Sequence, residues 1–153
     1  MKKSPTTDRL DDIIRKINKL IDIYQGYERG LTQLIPFARN YVNKKYISEN
    51  LKEVQDIKEK FKIISTVFKE FKKVHRKEFD NLMQEYLDKH DEYHEAVMYS
   101  INKRIILQNA LLNKKGTLLG YFSLIRIQKN SVNNCMQSAL EINKIVAKIK
   151  QKG

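Results

Sequence analysis

Two histidines in the segment HDEYH, residues 90–94, are the strongest candidates for metal chemistry. On a helix, their spacing places both imidazoles on one face, as in a zinc-binding helix. The zinc-protease pattern H-E-x-x-H has a glutamate directly after its first histidine, whereas here Asp91 follows His90. The remaining histidine, His75, would lie roughly 22 Å from His90 along one helix, too far to be a third ligand. We therefore predict that His90 and His94 lie in a helix interface and that the chain binds no metal.

No other pattern points to catalysis. The single cysteine, Cys135, falls on an apolar helical stripe, where cysteine is usually a small core residue. The sequence contains no G-x-S-x-G motif, no glycine-rich phosphate loop and no C-x-x-C motif. The many carboxylates face solvent by their helical spacing. We therefore predict that the protein is not an enzyme and uses no cofactor.

Apolar residues recur every three or four positions over most of the chain, which predicts an all-α protein of long amphipathic helices. Only five glycines and two prolines are present to interrupt them. Pro36 should kink the first helix or divide it into two helices in series, and the second helix should be about 100 Å long. We expect a single domain spanning residues 1–153, an elongated antiparallel bundle or coiled coil of three helices. These helices are predicted over residues 8–46, 49–113 and 117–150.

The charge of the chain narrows the choice of partner. Lys and Arg total 30, Asp and Glu total 18, and the net charge is +12. An anionic partner is therefore expected: nucleic acid, an acidic protein or an acidic membrane face. Nucleic acid is disfavoured because most Phe and Tyr residues fall on core stripes instead of among the cations. No signal peptide or membrane-spanning apolar run is recognised, so we expect a cytoplasmic protein that contacts membrane peripherally.

The basic residues are clustered along the chain. From Ala96 to Gly153 there are ten basic residues and one acidic residue. A second group, just after Phe68, follows helical spacing and forms a short basic face. The residues expected to bind an anionic lipid surface are Lys69, Lys72, Lys73, Arg76, Lys77, Lys103, Arg104, Lys114 and Lys115.

Three segments resemble the BAR domains found beside PH modules. YERGLTQLIPFARNYV resembles the end of their first helix, KEFDNLMQEYLDKHDEYHEAVMYSINKR their second helix, and GYFSLIRIQKNSVNNCMQSAL the start of their third helix. The resemblance implies a crescent-shaped antiparallel homodimer that senses or bends anionic membrane. It places Lys114 and Lys115 at the tip of the crescent and the cations from Lys69 to Lys77 on its curved face.

The expected length of helix two also bears on assembly. A helix of about 100 Å would present more aromatic surface than its two neighbours can cover, and large exposed apolar patches usually mark an interface. The residues left over include Phe61, Phe68, Phe71 and Tyr86. We therefore expect a homodimer that binds anionic membrane and senses or shapes its curvature. The alternative is an elongated helical adaptor that binds acidic protein partners without lipid.

Overall fold

The computed structural model describes residues 4–32, 44–113 and 118–152, and nearly all of them are helical. No strand occurs in these ranges, which confirms the all-α prediction. The last helix agrees closely with the predicted third one, but the described residues form four helices instead of three. They are α1 (Pro5–Thr32), α2 (Lys44–His75), α3 (Asn81–Asn113) and α4 (Leu118–Lys152), with a 3₁₀ turn at Arg76–Glu78.

The first helix begins earlier than predicted because Ser4 caps it. The Ser4 hydroxyl accepts a hydrogen bond from the backbone N–H of Thr7 at 3.2 Å, and its carbonyl accepts one from Asp8 at 3.0 Å. Pro5 occupies the first helical position, where the missing amide hydrogen is no loss. The predicted kink at Pro36 lies outside the described residues.

The prediction of one continuous helix over residues 49–113 is wrong, because the α-helical backbone is interrupted at residues 76–80. After the 3₁₀ turn the backbone of Phe79 is extended, with φ −103° and ψ 152°. Asp80 then caps α3, and its carboxylate accepts the backbone N–H of Met83 at 2.8 Å. The break needs neither glycine nor proline, and it folds one very long helix into a hairpin of α2 and α3.

Contacts far apart along the hairpin show that α2 and α3 are antiparallel. Lys72 of α2 meets Asp91 of α3 near the turn. Asn50 of α2 meets Arg104 of α3 about 33 Å further along the helix. The two helices therefore cover each other over most of their lengths.

The outer two helices complete an up-down-up-down bundle. The hydroxyl of Tyr121, early in α4, donates to the carbonyl of Ala110, late in α3, so α4 runs antiparallel to α3. Arg9, early in α1, lies beside Glu70, late in α2, so α1 runs antiparallel to α2. Helices of 28 to 35 residues give the bundle a length of about 42 to 53 Å.

One hydrophobic core joins the four helices and covers the aromatic residues on which the homodimer prediction rested. Phe61, Phe68 and Phe71 are buried in this core, and Tyr86 packs against it. These are the aromatic residues that were expected to need a second copy of the chain. The bundle also differs from the three-helix architecture that the resemblance to BAR domains implied.

Candidate anionic-surface site

His90 and His94 lie in the core, as predicted, and each is only 3% exposed. The His94 ring packs edge-on against Phe68 with 4.8 Å between centroids, and the His90 ring packs against Tyr86 at 4.5 Å. No ring nitrogen of either histidine finds a hydrogen-bond partner in the described structure. Within the same residues, no three His, Cys, Asp or Glu side chains converge to hold a metal. Cys135 packs half-buried against this core.

Burial sets the protonation state of the two histidines. Desolvation lowers the pKa of His90 from 6.5 to about 4, although Asp91 partly opposes the shift. Desolvation, together with smaller contributions from the neighbouring His90 and Lys69, lowers the pKa of His94 from 6.5 to about 3. Both imidazoles are therefore neutral near pH 7, and neither contributes positive charge to the surface.

Five of the predicted cations come together on the surface of the bundle. They belong to the last two turns of α2 and to the 3₁₀ turn that follows, and they line one shallow concavity. Asp91 of α3 is the one acidic residue among those that line it. We call these five residues the α2 cation cluster: Lys69, Lys72, Lys73, Arg76 and Lys77.

Two members of the α2 cation cluster are held by acids of α3. Lys72 Nζ lies 2.8 Å from Asp88 and 2.5 Å from Asp91, and Arg76 Nη2 lies 3.0 Å from Asp88. Partial burial works against the charge of Lys72, but the hydrogen bonds to both aspartates outweigh it and raise the pKa of Lys72. The hydrogen bond from Arg76 lowers the pKa of Asp88 against the effect of partial burial, and Lys72 adds to the lowering. Lys72 and Arg76 therefore fasten the hairpin, and their charge is largely balanced.

The other three members, Lys69, Lys73 and Lys77, are exposed, and none forms an ion pair with a described residue. Lys58 and Lys62 precede them on the same side of α2 and are likewise unpaired within the described ranges. Sequence analysis missed these two lysines, although positions 58, 62, 69 and 73 follow the helical period. A row of lysines about 22 Å long therefore leads along α2 into the cluster.

Arg104 does not belong to the surface, which corrects its predicted role in lipid binding. It is 1% exposed, its Nη2 donates to Asn50 Oδ1 at 2.8 Å, and its guanidinium lies 5.7 Å from the Tyr24 ring centroid. Arg104 stands three residues after Ile101 and four before Gln108, and the structure buries both of these residues. This position therefore falls on the core side of α3, out of reach of a headgroup.

The remaining predicted cations contribute less to a binding site. Lys103 is half-buried, and its ammonium lies 5.1 Å from the centroid of the Tyr99 ring, a cation–π contact. Lys114 and Lys115 lie outside the described residues. Of the predicted cations in the described ranges, the structure brings together five, all at the end of α2.

The helices of the described ranges are all too short or too polar to cross a membrane. Comparison with known protein families, curated proteins and solved structures gives no match for this chain. Its function must therefore be inferred from the chemistry of its own surface.

Proposed function

We propose that the protein is a non-catalytic, peripheral membrane module whose α2 cation cluster binds the headgroups of anionic lipids. The observation that carries this proposal is the concavity at the end of α2, which five cations and one carboxylate line, while a second carboxylate, Asp88, pairs with two of those cations. Lysine ammonium groups donate charge-assisted hydrogen bonds to phosphate oxygens, and the acidic cytoplasmic leaflet supplies such groups. The row formed by Lys58 and Lys62 extends the same positive surface along the bundle.

The unpaired lysines determine the affinity for anionic membrane that we expect. Each cation near an acidic bilayer contributes roughly 1 kcal/mol, so Lys69, Lys73 and Lys77 together contribute about 3 kcal/mol, or about 100-fold in affinity. Lys72 and Arg76 add less, because Asp88 and Asp91 already balance them. Binding by summed charge should weaken strongly as salt is raised, since the Debye length shrinks.

Vesicle sedimentation with a charge-matched control tests this proposal. The vesicles contain phosphatidylcholine alone, or phosphatidylcholine with about one-third phosphatidylserine as the anionic lipid. The test variant combines Lys69→Glu, Lys73→Glu and Lys77→Glu. The control reverses three exposed lysines elsewhere on the bundle and changes the net charge equally. Its substitutions are Lys19→Glu, Lys52→Glu and Lys150→Glu.

We expect the wild type and the control variant to sediment with the anionic vesicles and the test variant to remain in solution. Circular dichroism should show the same helicity for all three proteins, because the replaced side chains lie outside the core. Equal loss in the control and test variants would mean that only net charge matters and would refute a localised site. Absence of wild-type binding at low salt would refute membrane recognition itself.

A second candidate function is an adaptor for acidic protein partners. The observation that favours it lies on α4, where large apolar side chains are exposed among basic residues. This surface is separate from the α2 cation cluster, so the two functions are compatible in one molecule.

A further inference from the structure

α4 presents a second face, directed away from the core of the bundle. Phe122, Met136 and Leu140 on this face are 44%, 59% and 51% exposed. The inner face of the same helix buries other residues, such as Ile125 and Ile142. Met136 also lines a groove beside the core, so the exposed apolar residues form a surface that runs from the edge of the core along the outer side of α4.

The exposed residues of α4 follow the spacing of a coiled-coil seam. Steps of four, three, four, three and four residues keep a line of side chains on one side of a helix that supercoils with a partner. This line extends from residue 122 to residue 140, a rise of about 27 Å. We call it the α4 outer seam: Phe122, Arg126, Lys129, Asn133, Met136 and Leu140, of which every member is exposed.

The polar members of the α4 outer seam specify the chemistry of the partner. Arg126 and Lys129 stand between the apolar residues of the line, and neither forms an ion pair with a described residue. Glu141, the one acid of α4, lies 3.4 Å from Lys144 and leaves these two cations unbalanced. Asn133 stands at the middle of the line, where a polar residue fixes the register of paired helices.

A second copy of this chain fits the α4 outer seam poorly. Parallel pairing would place Arg126 opposite Arg126 and Lys129 opposite Lys129, and like charges in this arrangement repel. Antiparallel pairing about Asn133 would place the two cations opposite Leu140 and Met136. Neither arrangement satisfies the charges, so the complementary helix must carry acids.

A lipid surface fits the seam less well than a helix does. Helices that lie in a membrane interface separate an apolar face from a polar face. In the α4 outer seam, Arg126, Lys129 and Asn133 interrupt the apolar residues along a single line. Discrete carboxylate and amide partners at matching positions satisfy this alternation, whereas an acyl boundary does not.

We propose that the α4 outer seam docks an acidic amphipathic helix of a protein partner. The partner helix is about 20 residues long. Its apolar side chains pack on Phe122, Met136 and Leu140, while its Asp or Glu side chains pair with Arg126 and Lys129. This interaction rests on the second candidate function, the adaptor for acidic protein partners, and deepens it, and it does not depend on lipid binding by the α2 cation cluster.

The test uses synthetic helical peptides of defined sequence and fluorescence anisotropy. The acidic peptide carries leucines at seam positions and glutamates opposite Arg126 and Lys129. A basic peptide replaces those glutamates by lysines, and a scrambled peptide keeps the acidic composition without the seam. The 153-residue chain is tested as wild type, as the charge-reversed variant Arg126→Glu/Lys129→Glu, and as the apolar variant Met136→Asp/Leu140→Asp.

We expect the wild type to bind the acidic peptide and to bind the basic and scrambled peptides at least tenfold more weakly. The charge-reversed variant should prefer the basic peptide, and the apolar variant should lose at least tenfold in affinity. These outcomes require a seam, because general attraction to a basic protein would not distinguish the acidic peptide from its scrambled form.

Failure to bind the acidic peptide up to about 1 mM would overturn the proposal. Equal binding of the scrambled peptide, or of the apolar variant, would overturn it too. Vesicle sedimentation separates the two surfaces, since the α4 variants should still bind anionic vesicles. If the apolar variant loses vesicle binding while no peptide binds, the α4 face is a membrane surface and docking of a helix is wrong.

Discussion

The buried pair His90 and His94 should make the fold sensitive to mild acid. Both imidazoles are neutral in the folded state, with pKa values of about 4 and about 3, whereas each has an ordinary value of 6.5 when unfolded. Since these folded-state pKa values are depressed, the unfolded chain binds more protons as the pH falls below 6.5. Stability is therefore complete above that pH and decreases progressively towards the folded-state pKa values.

The size of the effect follows from proton linkage. From about pH 7 to about pH 5, each histidine takes up nearly one proton only when the chain unfolds, which removes about 2 kcal/mol of stability. The pair together removes about 4 kcal/mol, a large part of the stability of a small domain. The lowered pKa of Asp88 affects stability only at lower pH, because the stability that this carboxylate contributes is lost only as the pH falls below its ordinary pKa of 3.8. The histidines should therefore dominate in this range.

Urea denaturation followed by circular dichroism at several pH values measures this loss. The variant His90→Leu/His94→Leu has no histidine in the core, so its free energy of unfolding should change by less than about 1 kcal/mol over the same pH range. A matched control, His75→Gln, replaces a histidine outside the core and should keep the acid-induced loss. If the double variant loses as much stability as the wild type, another group titrates and the reasoning is wrong.

Three further predictions concern the fold. Asp80→Ala should remove the cap of α3 and lower the free energy of unfolding by about 1 kcal/mol, measured by urea denaturation; no change would show that the break does not depend on Asp80. Arg104→Ala should destabilise the bundle by about 2 to 4 kcal/mol, because Asn50 and Gln108 lose a buried partner. The same variant should bind anionic vesicles as the wild type does. Weakened binding by a variant that is still folded would mean that Arg104 contacts lipid and that its assignment to the core is wrong. Light scattering at high protein concentration should give the monomer mass of 18.2 kDa, and a dimer mass would mean that the core needs a second copy.

Periodicity predicted the helices well where one face of the chain is apolar. It gave the last helix nearly to the residue and placed His90 and His94 in a helix interface, because both occupy positions in a stripe of large apolar side chains. Such a stripe is a local property, so it can be found from the sequence alone.

The break at residues 76–80 could not be found from the same stripe. Phe71, His75 and Phe79 are spaced by four residues and continue the apolar pattern through the turn without a glycine or proline. The signal was the capping aspartate, Asp80, followed by a helical run, and this pattern also occurs inside helices. Tertiary packing decides between a break at Asp80 and a continuous helix, because α2 and α3 bury more surface as a hairpin than as one exposed rod.

Arg104 shows a second limit of sequence analysis. A charged residue is rarely fully buried, so it was placed on the surface with Lys103. Its neighbours in the folded chain are Asn50, from a distant helix, and Gln108, from the next turn, and they accept hydrogen bonds from its Nη2 and Nε. Such partners are visible only once the hairpin is formed.

The turn that corrected the fold also builds the proposed lipid site. A continuous helix through residues 76–80 would carry Asp88 and Asp91 away from Lys72, because side chains 16 and 19 residues apart would be separated by more than about 20 Å. The turn instead returns the chain, so that Asp88 binds both Lys72 and Arg76. These acids hold two cations in place and leave Lys69, Lys73 and Lys77 unpaired at the rim of one concavity. Because α2 and α3 form a hairpin, the proposed membrane binding rests on this local concavity and not on the curvature of one very long helix.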